Sequence, residues 1–472
     1  MLRAKELYPV GEVLPMFMPS FNRSLVIEAR PERLSSDAGA VLLRELLQRS
    51  GIIPWMVARL ADPRASDQVT YPLAELLRTV LVLFGQGWRD QDDADALRFD
   101  PAVRLAVTEA RGTAALEDDH HLPSQPTLSR LLGTLSQPTN LQVLREAVGE
   151  LAGRRLRAMR RGHRQREVTL DIDGLPIEVH GNQPGSAWNG HYHQRMYHPL
   201  VASVAESGDL LDARLRAGNA HTAEGALDFI LDLVDRVETT MCQVALVRID
   251  AGFPDEKLLA GLEANGTPYV ARIKNNKVLD RLAAPHLRRP PGRPPAEPRA
   301  WFHEMSYAAG SWSRLRRVVL VVVEQPDDLL LRHFWLLTSI SADTLDGEAL
   351  LALYRQRGTA EGHMGELMDV LAPALSSASR ARGPDTTDAF AHNEALLLLH
   401  LLAYEVMHTG RCLMEKITDT GWSLRRFRER VLKVGMRIVL HARRATLVIA
   451  ETAAVYWQDL WRALDNLAWN TA

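Results

Sequence analysis

With 472 residues, 46% of them hydrophobic and 24% charged, the chain is too long for one simple domain and can bury a large core, so roughly two to four structural units are expected. Two cysteines, Cys242 and Cys412, exclude a disulfide framework and a cysteine zinc cluster, and a start without a secretory pattern fits a reducing cytoplasm. The net charge of −2 does not by itself point to nucleic acid, and the longest apolar run, Ala395 to Tyr404, is broken by His400 and too short to span a bilayer.

Residues 37–150 read as mainly helical. Leu73, Leu76, Leu77, Val80, Leu81 and Phe84 form one apolar helical stripe, which Gly85 and Gly87 are expected to end. A second helix opens at Ser124, whose hydroxyl is expected to cap it, with Pro126 in the first turn and Leu128, Leu131 and Leu132 facing inward. Its polar residues Gln125, Thr127, Ser129 and Arg130 then face outward, as on a recognition helix or on an ordinary bundle helix; spacing does not separate the two. A basic run follows with Arg154, Arg155, Arg157, Arg160, Arg161, Arg164 and Arg166, and a second lies near the end with Arg425, Arg426, Arg428, Arg430, Lys433, Arg437, Arg443 and Arg444. Such stripes can neutralise phosphates, although either alone is also what a solvated helix face looks like.

From Arg166 the periodicity changes to short β-like runs at Val168–Asp173, Tyr197–Ala205, Leu210–Arg216, Val244–Asp250 and Tyr269–Ile273, with a helix at Ala223–Val237. This mixed-sheet pattern fits an α/β, ribonuclease-H-like core. A Pro- and Arg-rich stretch follows, and then strands at Trp301–Tyr307, Arg316–Glu324 and His333–Ser339, read as an all-β insertion. Beyond Leu345 the chain reads as helical to its end, with a loop near Arg380–Asp385. The expected organisation is a mainly helical region over 1–165, a first core segment over 166–275 and a β-rich insertion over 276–340. A second core segment over 341–410 and a basic helical region over 411–472 complete it.

The chemistry lies in acids far apart in sequence. Asp171 and Asp173 leave the same face of one strand, with Leu170 and Ile172 on the other. Asp250 ends a Val-Ala-Leu-Val-Arg-Ile run and is followed by Ala251 and Gly252, where the chain can turn. Glu361 shares a helical stripe with Tyr354 and Arg357, polar groups whose unpaired burial would be costly and which therefore mark a site. Carboxylates are hard oxygen ligands for Mg²⁺ or Mn²⁺, and two such ions can activate a hydroxyl and stabilise a leaving oxygen at phosphorus. His191, His193 and His198 also permit a zinc reading, which a carboxylate site does not require. Trp188 and Trp312 could stack on bases, though packing explains them as well.

These residues resemble the DDE transposases of bacterial insertion sequences, in the group related to insertion-sequence family 1380. The resemblance covers nearly the whole chain and is carried by Leu-Asp-Ile-Asp-Gly at 170–174, His-Gly-Asn-Gln at 180–183, Asn-Gly-His-Tyr at 189–192, Gly-Asn-Ala-His at 218–221 and Arg-Ile-Asp-Ala-Gly-Phe at 248–253. Its most specific anchor is Tyr-Arg-Gln-Arg-Gly-Thr-Ala-Glu at 354–361. The resemblance implies a ribonuclease-H-like fold with a β insertion, and cleavage and strand transfer at transposon ends. It further implies Asp173, Asp250 and Glu361 as catalytic metal ligands, with Asp171 as alternative or additional first acid, and two Mg²⁺ or Mn²⁺ ions. Implied partners are double-stranded DNA, as terminal inverted repeats and target, and a second copy of the chain in a dimer or larger assembly, in the cytoplasm at the nucleoid and not at a membrane. Tyr354, Arg357, Gln125, Thr127, Ser129, Arg130, Arg154, Arg155, Arg425, Arg426 and Lys433 are the expected DNA contacts. One departure stands at Met368, where the family pattern has a lysine; loss of one phosphate contact would weaken the enzyme without touching its metal site. A catalytically decayed DNA-binding relative, and a nuclease that cuts without joining, stay open as alternatives.

Overall fold

The computed structural model describes residues 19–467 and Trp469, apart from 23, 26, 28–31, 91, 111, 112, 117–120, 160–166, 182, 293–295, 327, 377–386 and 443. Arg160, Arg161, Arg164, Arg166, Arg443 and the loop expected near Arg380 lie outside the described residues. A short strand β1 (Arg33–Ser35) precedes helices α1 (Ala40–Ser50), α2 (Ile52–Val57), α3 (Leu73–Gln86), α4 (Asp93–Ala96), α5 (Pro101–Val107), α6 (Gln125–Leu135) and α7 (Pro138–Met159). The α3 stripe is buried as expected. Its end differs from expectation: Gly85 lies inside the helix, where an added Cβ would stand 2.8 Å from the Leu43 side chain, and Gly87 alone ends it, at φ +89°.

The strands follow as β2 (Glu167–Gly174), β3 (Ile177–Glu178), β4 (Ala187–Asn189), β5 (Gln194–Tyr197), β6 (Leu200–Val204) and β7 (Leu210–Arg214). Helix α8 (Ala226–Thr240), strand β8 (Gln243–Ile249), helix α9 (Glu256–Ala264), strand β9 (Tyr269–Ile273) and helix α10 (Lys277–Ala283) come next. Strands β10 (Arg299–Tyr307), β11 (Arg316–Glu324) and β12 (Arg332–Thr338) lead into helices α11 (Gly347–Arg355) and α12 (Gly358–Glu366). The fold is mixed α/β, built on one eight-stranded sheet in the order β10-β11-β12-β9-β8-β2-β6-β7. Within it β2, β8 and β9 run parallel, and the remaining pairs are antiparallel.

One expectation about the sheet is corrected. The strands β10 to β12 were read as an insertion of their own, yet β12 pairs with β9 through Trp335↔Ile273 to Thr338↔Val270, so they extend the same sheet. The physical reason is burial on both faces of β11. Val318, Leu320 and Val322 join the core beneath α8 and α9, while Val319, Val321 and Val323 join the one beneath α11. A continuous apolar run of this kind is what a doubly covered strand needs.

After α12 come the long helix α13 (Thr387–Thr418), the short α14 (Leu424–Phe427), a hairpin of β13 (Met436–His441) and β14 (Arg444–Ile449), and α15 (Glu451–Asn466). The hairpin contradicts the expectation of helix to the end of the chain. Met436, Ile438 and Leu440 face one side and Arg437, Val439 and His441 the other, a period of two that the basic residues obscured. Nor does α13 sit apart from the N-terminal helices: it shares one large core with α1, α3, α6, α7 and α15. His400 is part of that core, stacked on Phe84 with centroids 3.8 Å apart, and burial pushes its imidazole down to about 4. Among the described residues no helix is long and apolar enough to cross a membrane.

Candidate active site

The parallel pairing of β2 and β8 aligns Asp171 with Arg248 and Ile172 with Ile249. The next residues on the two strands, Asp173 and Asp250, therefore emerge side by side at the same sheet edge. After β8 the chain turns at once, because an Asp250 Oδ1 accepts the Gly252 amide at 2.7 Å. Ile172 and Ile249 anchor both strand ends in the core on the opposite face.

The third acid arrives on helix. Tyr354, Arg357 and Glu361 were read on one continuous helix, but α11 ends at Arg355 and α12 starts at Gly358, with Gln356 and Arg357 between. The break leaves all three facing one opening. Asp250, Arg272, Phe334, Tyr354, Arg357 and Glu361 line a pocket of about 330 Å³. Glu361 is 62% exposed at its rim, whereas Arg357 is largely buried.

Arg357 joins the acids electrostatically. It donates from Nη2 to Asp173 Oδ2 and from Nη1 to Glu361 Oε1, the latter at 2.9 Å, while its buried Nε has no partner among the described residues. Burial pushes the Asp173 carboxyl up to about 6; Arg357 opposes that rise, and the negative charge of Asp250 adds to it. Burial likewise raises the Tyr354 phenol. Among the described residues no three His, Cys, Asp or Glu side chains stand close enough together to hold an ion. The three carboxylates are nonetheless the hard-oxygen donor set a divalent ion takes, with a guanidinium supplying positive charge between two of them.

Asp171 stands apart from this opening. Arg248 clamps it with Nε to Oδ1 and Nη2 to Oδ2, both at 2.7 Å, and each residue is only 1% exposed. The third guanidinium nitrogen donates to the Leu353 carbonyl at 2.7 Å, next to Tyr354. Asp171 spends both oxygens on Arg248, whereas Asp173 shares Arg357 with Glu361. Arg248 does not stand out in the sequence beside the acids. Its signal was present: an arginine inside an apolar strand demands a buried counter-charge, and the parallel register supplies Asp171.

Tyr192 is a second such residue. It lies on the turn between β4 and β5, where the Asn189 side chain accepts the amides of His191 and Tyr192 at 3.0 and 3.3 Å. Its ring meets His198 edge-on at 5.9 Å, and its phenol is raised by burial, with Asp173 and Asp250 contributing. His198 in turn packs on Gly174, the neighbour of Asp173.

The expected DNA contacts divide. Ser129 and Arg130 on α6 are exposed, Gln125 and Thr127 half-buried, and the Ser124 hydroxyl meets Thr127 Oγ1 at 3.2 Å instead of capping an amide. Arg425 is exposed, and Arg426 lies over the Trp422 ring at 4.1 Å. Three others are paired with acids within the fold. Arg154 is buried against Glu150 and the Ser50 carbonyl, Arg155 is buried against Asp209, and Lys433 pairs with Asp37 at 2.5 Å beside Trp88. A charge run in sequence does not distinguish cations that answer buried acids from cations that face water. Met368 lies in the π-helical turn Leu367–Leu371, half-buried against the main core, so the stripe from Glu361 does not continue straight to it. Trp188 is 61% exposed, whereas Trp312 packs edge-on against Tyr307.

No curated protein matches the chain. Among solved structures, a piggyBac transposase synaptic complex with hairpin DNA aligns with 84% of this chain and 79% of that one, at 13% identity and a TM-score of 0.40. The family model described as transposase DDE domain group 1 matches residues 17–471, nearly the whole sequence, and the chain belongs to that family.

Proposed function

We propose that this protein is a metal-dependent DNA transposase that cleaves the ends of its element and transfers the freed 3′ ends into target DNA. The observation that carries the reading is that Asp250 and Glu361 line one pocket with Arg357, whose guanidinium also reaches Asp173 at the end of the neighbouring strand. In this reading the sheet around β2, β8 and β9 is a ribonuclease-H-like core, with residues 166–275 and 341–410 supplying it and the flanking helical regions handling DNA and a second copy. The working compartment is the cytoplasm, on the nucleoid.

Asp173, Asp250 and Glu361 would hold Mg²⁺ or Mn²⁺, and Asp171 would serve as structural counter-charge to Arg248. Bound there, a pair of such ions would lower the pKa of an attacking hydroxyl and neutralise the leaving oxygen. Arg357 carries the positive charge of the site until then, and on releasing the acids it is placed to meet a DNA phosphate with its planar fork. Tyr354 lines the same pocket and orients that strand. Incubation with Mn²⁺ and a duplex bearing the element's inverted repeats is expected to give new 3′-hydroxyl ends and then joined product. Nicks without joining would make the protein a nuclease, and neither product would make it a DNA-binding protein.

Arg357→Ala tests the exchange separately. It should lower cleavage by about 10²–10³-fold, the usual effect of removing one group that stabilises charge in a transition state. The rise in melting temperature on adding Mn²⁺ should be at least as large as in wild type, since no guanidinium competes for Asp173 and Glu361. A lost Mn²⁺ response would mean that Arg357 holds the acids in place.

A further inference from the structure

We propose that double-stranded DNA lies along the exposed face of the small sheet β1-β13-β14, a surface remote in sequence from the acids. The sheet packs one face, through Met436 and Ile438, in a core with Ala453 of α15, and the hairpin's other face is exposed. Antiparallel register sets Leu34 opposite Arg437, Arg437 opposite Val448, Val439 opposite Thr446 and His441 opposite Arg444. All six outward side chains of the hairpin are exposed, and none is acidic. Leu34, Val439 and Val448 are 59%, 41% and 44% exposed.

Such a face combines two guanidiniums and an imidazole with methyl-bearing side chains between them. Duplex DNA offers the complement, with phosphates for Arg437 and Arg444 and base edges and thymine methyls for Val439, Thr446 and Val448; a two-stranded ribbon also fits the major groove. A second copy of the same face would set arginines against arginines, which disfavours self-pairing. Beside it, Glu32 stands 3.9 Å from Arg437 with both groups exposed, a pairing weak enough for a polyanion to displace.

The inference rests on the transposase reading for its partner, and the test separates the two. Fluorescence anisotropy with a mixed-sequence duplex, over a salt series, compares wild type with Arg437→Gln/Arg444→Gln and Arg437→Lys/Arg444→Lys. The Gln pair should bind roughly tenfold more weakly near 0.1 M salt, and its slope of log affinity against log salt should shrink by about two, while the Lys pair keeps the wild-type slope. Val439→Glu, an acid in the middle of the ribbon, should weaken binding in a protein with an unchanged melting temperature. An unchanged slope in the Gln pair beside normal wild-type binding overturns the ribbon and leaves the transposase reading standing. A wild type that binds no duplex overturns both. An unchanged slope with a lower sedimentation mass makes the face a contact between copies and also overturns the proposal.

Discussion

Arg248→Ala is expected to destabilise the protein by about 3–5 kcal/mol, because it leaves the Asp171 carboxylate buried at 1% exposure without its clamp. That is a large part of the roughly 5–15 kcal/mol that holds a typical domain together. Burial already raises the Asp171 carboxyl against the pull of Arg248, so without the arginine the group must take up a proton or water must enter the sheet. The same change frees the Leu353 carbonyl and loosens the end of α11 just before Tyr354. Removing both charges together, as Arg248→Met with Asp171→Leu, should recover most of the loss, since a well-packed apolar pair replaces a buried ion pair at little net cost. Denaturant midpoints of the two single variants and the double variant give the coupling directly. The same proteins settle what Asp171 does. If the double variant folds and keeps its Mn²⁺-induced rise in melting temperature, Asp171 is structural; if it folds and loses that response, Asp171 is a ligand after all.

The sequence made the strand acids legible because a carboxylate at the end of an apolar run has few structural uses, and Asp173 and Asp250 do stand side by side. Asp171 looked equivalent, since period two places it on the same face as Asp173. Periodicity reports which face a side chain leaves, not what waits there, and Arg248 waits for Asp171. Basic runs carry the same ambiguity at Arg154, Arg155 and Lys433, whose partners Glu150, Asp209 and Asp37 are set by packing that the run does not reveal. The β13–β14 hairpin was hidden because arginines on its open face broke the apolar run that would have marked a strand. The helix carrying Glu361 was found, but its break at Gln356 and Arg357 and the π-helical turn at Met368 carry no apolar signature. Neither break moved Tyr354, Arg357 or Glu361 off the pocket.

Asp173→Asn is expected to raise stability at neutral pH while abolishing cleavage, a combination that a merely structural acid would not give. The sign follows from its carboxyl, which burial pushes up to about 6 from an ordinary 3.8. Between those values the folded chain holds a proton that the unfolded chain has shed, so wild-type stability falls as pH rises through that window. The neutral amide removes this dependence, and near pH 7 should stabilise the metal-free protein by about 2–3 kcal/mol, at one pKa unit per 1.36 kcal/mol. The gain should shrink as pH falls and vanish below about pH 3, where Asp173 is protonated in both states. Cleavage should nevertheless drop by about 10³-fold or more in Asp173→Asn, Asp250→Asn and Glu361→Gln alike, as each loses a ligand whose ion is worth several kcal/mol in the transition state. Wild-type cleavage should climb with pH through about 6 as Asp173 becomes free to bind, opposite in direction to the stability of the metal-free chain. Melting curves and initial cleavage rates across pH 4–8 measure both trends on one preparation. If stability and cleavage move together in Asp173→Asn, the carboxylate serves the fold, and the first acid must be sought elsewhere.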